Sequence, residues 1–449
     1  MNMRKNFYIL IGIFMAIAYS TDMEAKQWTL SECINYALQN NISLQKNILS
    51  RQAAQEDLLQ SKSSLLPSLD LSLSQNGVYR PWQESGTATV SNGYVQNSVN
   101  KFYYAGSYGI NANWTVWNGN RNTNTIKYNK LAEEQSALDS ATTANNIQEQ
   151  IAQLYIQILY STEATKVYQE SLELSKTNEK RGKEMVEVGK MSKADLAQLS
   201  AQRAQDEYNI VAAESLTRNY KRQLKKLLEI TDDEDFDIVI PSATDEQALQ
   251  IIPTIQDVYT TALNIRPEIR NSKLAVESSD LNIKIAKGQR MPTIGVNAGV
   301  GTNTTNMDDT AWGSQMKTNL DAMVGISVSI PLFDNRSSKT AINKARIQRQ
   351  NNLLDLKDKQ TSLHSTIEDY WLQATTNQNQ FKAAQKSVES EQASYDLLSE
   401  QFRLGLKNII ELMTGKVNLL TAKQKELQSK YLTILNIDML KFYQNGELK

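Results

Sequence analysis

Strict alternation of apolar and polar residues marks four short segments of the chain as β-strands. In the first, Leu69, Leu71 and Leu73 alternate with serine and aspartate, the period of two that gives a strand one apolar and one polar face. The same rule predicts strands at 68–79, 104–117, 293–302 and 322–332. Their polar positions carry mainly Ser, Gly, Asn and Thr, small residues that suit a face lining water. The two faces of each strand are therefore suited to different solvents.

Two long proline-free segments favour uninterrupted α-helices. Of the seven prolines, none lies between positions 82 and 240 and none follows position 331, and proline breaks the interior of a helix. Segments 122–187 and 337–403 can each form a helix of about 66 residues, roughly 100 Å long at 1.5 Å per residue. Ile147, Ile151 and Leu154 are spaced by four and three, as in the seam of a coiled coil. Helices with so narrow an apolar stripe pack side by side into walls.

The sequence contains an internal repeat. The segment Thr29–Leu38, TLSECINYAL, aligns with Thr254–Leu263, TIQDVYTTAL, and the same offset carries Pro67 onto Pro292. We predict a first structural repeat at 26–240, a linker at 241–252 and a second repeat at 253–449. Each repeat is ordered as helix, strand, strand, very long helix, tight turn and helix, so the predicted fold class is mostly α with a β portion.

The first 25 residues have the composition of a secretory signal peptide. Arg4 and Lys5 precede the apolar run at 7–18, which is shorter than the roughly 20 residues that a membrane-spanning helix needs. An N-terminal helical anchor is the alternative interpretation. No later stretch reaches the length of a transmembrane helix, so we predict an exported protein without one, and a signal peptide at 1–25.

Composition and charge argue against several classes of function. The chain has 48 basic and 49 acidic residues and a net charge of −1, which gives no electrostatic surface for nucleic acid. The one cysteine, Cys33, lies in a helical pattern and is interpreted as a small packing residue. The one histidine, His364, has no spaced metal partners. Without a nucleophile elbow or a phosphate-binding glycine loop, we predict no enzyme activity, no metal site and no cofactor.

The strands have the features of a membrane sheet, although a soluble β-sandwich would also show alternation. Strands of about ten residues can cross a bilayer at a tilt, and aromatic residues crowd the strand ends as in the girdles of membrane barrels. Because backbone groups in lipid must all be paired, such a sheet must close, and four strands are too few. Several copies of the chain would have to share one barrel. The aromatic residues are Tyr79, Trp82, Tyr94, Phe102, Tyr103, Tyr104, Trp114 and Trp117.

The sequence resembles the TolC-type outer-membrane efflux and secretion channel family over nearly the whole mature chain. The resemblance rests on the duplicated unit, the ALxxNxxL opening at Ala37–Leu44, the LPS and MPT strand starts, and the turns VEVGKMSKADL and RLGLKNIIEL. It implies a homotrimer with a twelve-stranded β-barrel in the outer membrane, continued by an α-helical barrel in the periplasm. The implied function is a passive exit duct of a tripartite efflux or type I secretion system. The implied partners are a periplasmic membrane-fusion adaptor, an inner-membrane transporter and outer-membrane lipid.

Two turns at the ends of the long helices are the candidate docking sites. Gly189 and Gly405 fit a helix C-terminus, where glycine takes a left-handed conformation most easily. By the resemblance, these turns form the periplasmic mouth of the tunnel and contact the adaptor. The implied docking residues are Val188, Gly189, Lys190, Met191 and Ser192 in the first turn, and Leu404, Gly405, Leu406 and Asn408 in the second. The alternative is that both are simply helix-terminating turns.

The resemblance also implies an aperture gate. Glu411 matches an acidic constriction of the family, Lys407 matches the centre of an arginine latch, and Phe402 matches a tyrosine of that latch. Asp195 lies six residues after Gly189, as Glu411 lies after Gly405. Three carboxylates around a narrow wet opening would concentrate cations. The sequence departs from the family at Phe402, which lacks the tyrosine hydroxyl, and at Ala194, which matches a hydroxyl partner, so two polar members of the family's closed-state latch are missing.

One rival interpretation remains from the residues. A periplasmic coiled-coil adaptor or scaffold protein without a channel would explain the long helices. It would leave four strands with apolar faces unexplained, because a periplasmic protein has no lipid for them to contact. The sequence therefore favours an outer-membrane location with a large periplasmic extension.

Overall fold

The computed structural model describes residues 27–82, 87–91, 94–98, 101–231, 236–241 and 245–448. The predicted signal peptide at 1–25 lies outside these residues. The helices are α1 (Leu30–Asn40), α2 (Ile42–Ser63), α3 (Arg121–Glu187), α4 (Lys193–Leu227), α5 (Asp245–Ala248), α6 (Ile255–Ile265), α7 (Pro267–Gly288), α8 (Trp312–Thr318), α9 (Ser337–Arg403) and α10 (Ile409–Asn445). The strands are β1 (Gln27–Trp28), β2 (Ser68–Tyr79), β3 (Thr87–Ser91), β4 (Tyr94–Ser98), β5 (Phe102–Trp117), β6 (Asp237–Ile238), β7 (Thr293–Thr305) and β8 (Asp321–Ser329).

The two very long helices form as predicted. The helices α3 and α9 are each 67 residues long, and each begins and ends within one residue of its predicted bounds. In the part of the chain that the structure describes, no helix is both long enough and apolar enough to cross a membrane.

The chain folds into two compact units. The helical unit contains the described residues of Met1–Lys46, Ser140–Arg266 and Gln360–Lys449, and the sheet unit contains Asn47–Asp139 and Pro267–Lys359. Each unit takes segments from both predicted sequence repeats. The spatial units and the repeats are therefore different divisions of the same chain.

The sheet unit contains a four-stranded antiparallel sheet in the order β2-β5-β7-β8. Its register aligns the apolar positions of all four strands on one face. Leu71 lies opposite Ile110, which lies opposite Val300, and Val300 lies opposite Ala322. Cross-strand apolar neighbours of this kind stabilise a sheet and fix its register. The four strands predicted from alternation are all present.

The structure corrects the sequence analysis at one end of β5. The predicted alternation continued through Val116, but the register shifts between Thr115 and Trp117, so that Trp117 pairs with Ile294. A β-bulge of this kind places one extra residue in a strand. Period-two alternation alone cannot detect it, because the alternation of apolar and polar residues continues unbroken through Val116.

The connections between strands hold elements that the sequence analysis did not predict. The strands β3 and β4 pair as a hairpin between β2 and β5, and α8 lies between β7 and β8. The buried amide of Gln315 holds this second connection together: its Nε2 donates to the carbonyls of Thr305 at 2.9 Å and Thr310 at 2.6 Å, and its Oε1 accepts from the Thr305 amide at 2.7 Å.

The helical unit is built around a core where α1, α3 and α4 meet. Cys33 is fully buried there, which confirms its interpretation as a packing residue, and burial raises the pKa of its thiol to about 12. Ile147 and Ile151 of the predicted seam are buried in the same core, and Leu154 packs against it. The α1 N-terminus is closed by a capping box between Thr29 and Glu32, which fixes where the helix begins.

Candidate functional site

The two turns between the long helices have the same backbone conformation. Gly189 and Gly405 have φ angles of 71° and 75°, in the left-handed region that glycine enters without strain. Around Gly405, its own amide donates to the Phe402 carbonyl at 3.0 Å, and the Leu406 amide donates to the Gln401 carbonyl at 2.9 Å. The same two bonds close the first turn, around Gly189. This pair of bonds is the Schellman motif, which ends a helix abruptly.

A side-chain cap starts the next helix after each turn. The Ser192 hydroxyl accepts a hydrogen bond from the Asp195 amide at 3.1 Å, and the Asn408 Oδ1 accepts one from the Glu411 amide at 2.9 Å. Both acids therefore occupy the third position of a helix, where a carboxylate interacts favourably with the helix dipole. The local sequence thus fixes the sharp reversal and the place of each acid.

Glu411 makes two further interactions at the second turn. One carboxylate oxygen, Oε1, lies 2.6 Å from the Nζ of Lys407, and the other, Oε2, accepts a hydrogen bond from the Asn408 amide at 3.2 Å. The Lys407 ammonium, followed by the Asn408 amide, holds the pKa of Glu411 below its usual value. At the first turn, the Asp195 Oδ2 accepts a hydrogen bond from the Ser192 hydroxyl at 2.8 Å.

The tips of both turns expose apolar side chains. Val188 in the first turn and Leu404 and Leu406 in the second are each more than half exposed, and Ile410 at the start of α10 is as well. A Cβ added at Gly189 or Gly405 would meet no atom within 4 Å. The two tips therefore offer small apolar surfaces with free space around their glycines.

One hydrophobic cluster supports both turns, and we name it the turn cluster. Met191 contributes from the first turn, and Phe402 and Ile409 contribute from the second. The structure thus brings together two turns that lie more than 200 residues apart in the sequence. The buried members are Leu199, Tyr395, Phe402, Ile409, Leu412 and Leu419, and the partly buried ones are Leu174, Met185, Met191 and Met413.

Phe402 differs from the other predicted gate residues. Its side chain is only 3% exposed and lies in the turn cluster, whereas Lys407 and Glu411 have side chains that are each 39% exposed. In the single chain Phe402 supports the turn from inside. Its role in an aperture, like those of Asp195, Lys407 and Glu411, stays a prediction.

A buried charged network lies on the helices that lead into the turns, and the sequence analysis did not find it. The Lys416 ammonium on α10 donates to the Asp206 carboxylate on α4 and to the Ser175 hydroxyl on α3. Asp206 also accepts hydrogen bonds from Ser171 at 3.4 Å and Gln202 at 3.2 Å. The sequence indicated only that Lys416 occupies a buried position, since it lies between Leu412 and Leu419 at seam spacing, and it did not indicate the partner Asp206.

The described residues contain no group of His, Cys, Asp and Glu side chains that could hold a metal ion. His364 is a partly exposed helix residue whose ring packs against that of Tyr259 in a T-shaped arrangement, with ring centroids 5.0 Å apart. Its environment is that of a packing residue at the surface.

Comparison with known proteins identifies relatives along nearly the whole chain. The outer membrane efflux protein BepC of Brucella suis biovar 1 (strain 1330) is 21% identical over 427 residues, which cover 94% of this chain and 86% of BepC. The outer membrane protein TolC of Escherichia coli (strain K12) is 22% identical over 455 residues, covering 97% of this chain and 85% of TolC.

The fold is that of a solved outer-membrane channel. The crystal structure of CmeC from Campylobacter jejuni superposes with a TM-score of 0.75 at 18% identity, covering 93% of this chain and 86% of CmeC. The family model described as outer membrane efflux protein matches residues 33–229 and 258–437, most of both halves of the sequence. The chain therefore belongs to the outer membrane efflux protein family.

Proposed function

We propose that three copies of this chain form a passive exit duct in the outer membrane. The duct would serve a tripartite efflux or type I secretion system and would extend far into the periplasm. Family membership supports this function over the alternative of a periplasmic adaptor or scaffold without a channel. The family is one of outer-membrane efflux proteins and not of enzymes, and we propose that this chain likewise catalyses no reaction.

The observation that carries the proposal is an open four-stranded sheet with an exposed apolar face. Leu69, Val324 and Ile326 on this face are each more than 70% exposed in the single chain. The strands β2 and β8 are the edges of the sheet, and an edge inside lipid would leave backbone groups without partners. Further copies of the chain would pair both edges, and the lipid around the closed sheet would cover its apolar face.

Strand number favours three copies. Two copies would give eight strands, and a barrel of that size is filled by its own side chains. Three copies give twelve strands and room for water. The face opposite the apolar one suits a wet lumen, because the Asn111 amide donates to Ser72 Oγ at 3.1 Å and to Asp70 Oδ2 at 3.3 Å across β2 and β5.

Aromatic residues stand at both ends of the strands, as expected at the two surfaces of a membrane. Tyr79 and Phe102 lie at one end of the β2–β5 pair, and both are more than half exposed. At the other end, the indole Nε1 of Trp114 donates to the Leu65 carbonyl at 2.8 Å. Tyr94 lies on β4, whose side chains are outside the described part.

The predicted repeats fit this arrangement. Residues 26–240 contribute β2 and β5, residues 253–449 contribute β7 and β8, and the β5–β7 pairing joins the two contributions. Residues 1–25 would direct export and then be removed, and 241–252 would link the repeats. Each copy would thus supply two strand pairs to the barrel.

The two turns would form the periplasmic mouth. Their exposed tips at Val188, Leu404 and Leu406 offer apolar contacts to a periplasmic membrane-fusion adaptor, which would in turn connect the duct to an inner-membrane transporter. Lys407, Glu411 and Asp195 would surround the opening in three copies each. Since the duct itself has no energy source, the transporter would drive export.

Fractionation and electrophoresis test the proposal. The full-length chain, expressed in a Gram-negative host, is expected in the outer-membrane fraction and as a trimer on gels that dissociates when the sample is boiled. Recovery of the mature chain in the soluble periplasmic fraction, as a monomer before and after boiling, would support the adaptor alternative instead.

A further inference from the structure

A buried ion pair interrupts the apolar seam between the helices that lead to the turns. On α4, the buried residues Leu199, Asp206 and Ala213 are spaced by seven, which is the repeat of a coiled-coil seam. On α10, Lys416 lies between the buried residues Leu412 and Leu419. The two charged residues thus occupy positions at which a coiled coil ordinarily has apolar ones.

The pair is fully enclosed by protein. The side chain of Asp206 is 0% exposed and that of Lys416 is 4% exposed. Asp206 accepts from Lys416, Ser175, Ser171 and Gln202, and Lys416 donates to Asp206 and Ser175. Burial lowers the pKa of Lys416, and the contact with Asp206 opposes that change.

A buried pair of this kind contributes little net stability. The loss of hydration of both charges offsets their attraction, and apolar replacements of both partners are often neutral or stabilising. A polar residue at one seam position instead specifies register, because any axial shift separates it from its partner. Here a shift of α10 against α3 and α4 would leave an ammonium and a carboxylate unpaired in an apolar seam.

The position of the pair links it to the second turn. Lys416 follows Glu411 by five residues on the same helix, about 7.5 Å along its axis. The helices α9 and α10 pack closely at this level, because a Cβ added at Gly415 would lie 2.7 Å from the Leu398 Cδ1. A register fixed at Lys416 is therefore transmitted to Glu411 and Lys407 through a short rigid segment.

We infer that Asp206 and Lys416 are positioning residues that fix the axial register of α10 against α3 and α4. They thereby determine where Lys407 and Glu411 lie relative to the first turn. The consequence for an aperture rests on the proposed function, whereas the register itself does not.

The test measures the distance between the two turns. The mature chain in detergent, with Cys33→Ala, would carry spin labels at Lys190→Cys and Leu406→Cys, both exposed positions, and would be mixed with unlabelled chains. Electron paramagnetic resonance then gives the distance distribution within one chain. We expect a single narrow distribution for this reference protein, and a broadened or multiple one after Asp206→Leu with Lys416→Met. A narrow reference-like distribution in that double variant would overturn the inference.

Two further variants separate register from general stability. Asp206→Asn alone leaves the buried ammonium without its counter-charge, and we expect a lower yield of assembled protein; a yield equal to that of the reference would also count against the inference. The matched control is Glu170→Gln, which removes a solvent-accessible ion pair between α3 and α10, where Glu170 Oε2 lies 2.9 Å from Lys423 Nζ. We expect the reference distribution in this control, and a broadened one would contradict the assignment to Asp206 and Lys416.

Conductance gives a separate readout of the aperture. In planar bilayers, we expect the double variant to differ from the reference at least twofold in conductance and the Glu170→Gln control to match it. If neither the variants nor the reference protein conducts, the proposed channel function is wrong. The distance measurement still tests whether Asp206 and Lys416 fix the helix register.

Discussion

The two carboxylate oxygens of Glu411 make different contacts: Oε1 lies 2.6 Å from the Lys407 ammonium, and Oε2 accepts a hydrogen bond from the Asn408 backbone amide at 3.2 Å. The first contact pairs its charge within one chain, and the second caps the start of α10. A ring of three such residues would therefore combine a charged surface with a structural cap. This arrangement leads to the first two predictions.

Replacement of Glu411 by alanine is expected to weaken block of the pore by multivalent cations. Three carboxylates at a narrow opening attract such cations, and the variant removes them. Lys407→Met is the counterpart, because it frees each carboxylate from its ammonium and is expected to strengthen block. Titration of hexamminecobalt against single-channel current in planar bilayers measures both. Unchanged block in Glu411→Ala would count against an acidic ring.

Cation block is also expected to persist in mildly acidic solution. Lys407 and the Asn408 amide hold the pKa of Glu411 below its usual value of 4.5. The sign follows from the direction of this shift, because a lowered pKa keeps the Glu411 carboxylate charged. Its contribution to cation block is therefore complete above pH 4.5, and is lost only as the pH falls through the lower pKa of the folded protein. A pH titration of block in the wild-type protein, with Lys407→Met as control, measures the midpoint. A wild-type midpoint at or above that of the control would contradict the account.

Substitution of Gly405 is expected to uncouple export without preventing assembly. A side chain there meets no neighbouring atom within 4 Å, so the main cost is the left-handed backbone, about 1–2 kcal/mol for an ordinary residue. Gly405→Asp would place a bulky charge at the proposed adaptor contact, and Gly405→Asn is the matched uncharged variant that tolerates this conformation. Export assays and unboiled gels give the two readouts. Failure of Gly405→Asp to form trimers would show instead that the turn is needed for folding or assembly.

Truncation of Phe402 is expected to loosen both turns. Burying this ring in the turn cluster contributes on the order of 3–5 kcal/mol relative to alanine. Because Met191 of the first turn packs in the same cluster, Phe402→Ala should reduce hydrogen-exchange protection in α4 near the first turn as well as in α10. Leu406→Ala, at a mostly exposed position, is the control and should change little. Loss of protection confined to the second turn would show that the cluster does not couple the two.

Much of the fold could be predicted because its elements obey simple periods. The alternation of residues such as Leu69 and Leu71 identified the strands, and the absence of proline identified α3 and α9 almost to the residue. The bulge before Trp117 and the β3–β4 hairpin were missed. The bulge depends on how β5 pairs with β7, and that information is not local in the sequence. The hairpin did have a local signal, Asn92-Gly93 between β3 and β4, the dipeptide favoured in two-residue hairpin loops.

In the candidate site, the turns could be predicted from the sequence, but the buried contacts around them could not. Gly189 and Gly405 marked the turns, because few other residues take their backbone angles without strain. The contact between Lys407 and Glu411 follows from their spacing of four. The burial of Phe402 and the pairing of Lys416 with Asp206 could not be predicted, because each depends on helices separated by about 200 residues coming together.

We propose that one chain supplies part of a closed β-barrel, and that the apolar faces of its strands contact lipid only after further copies complete the barrel. The most direct test of this proposal is the mass of the purified mature protein in detergent, corrected for bound detergent, with conductance recorded on the same sample. The account predicts a mass of three chains, aggregation when detergent is withdrawn, and stable ion-conducting pores. A monodisperse single chain that needs no detergent and conducts no ions would contradict it.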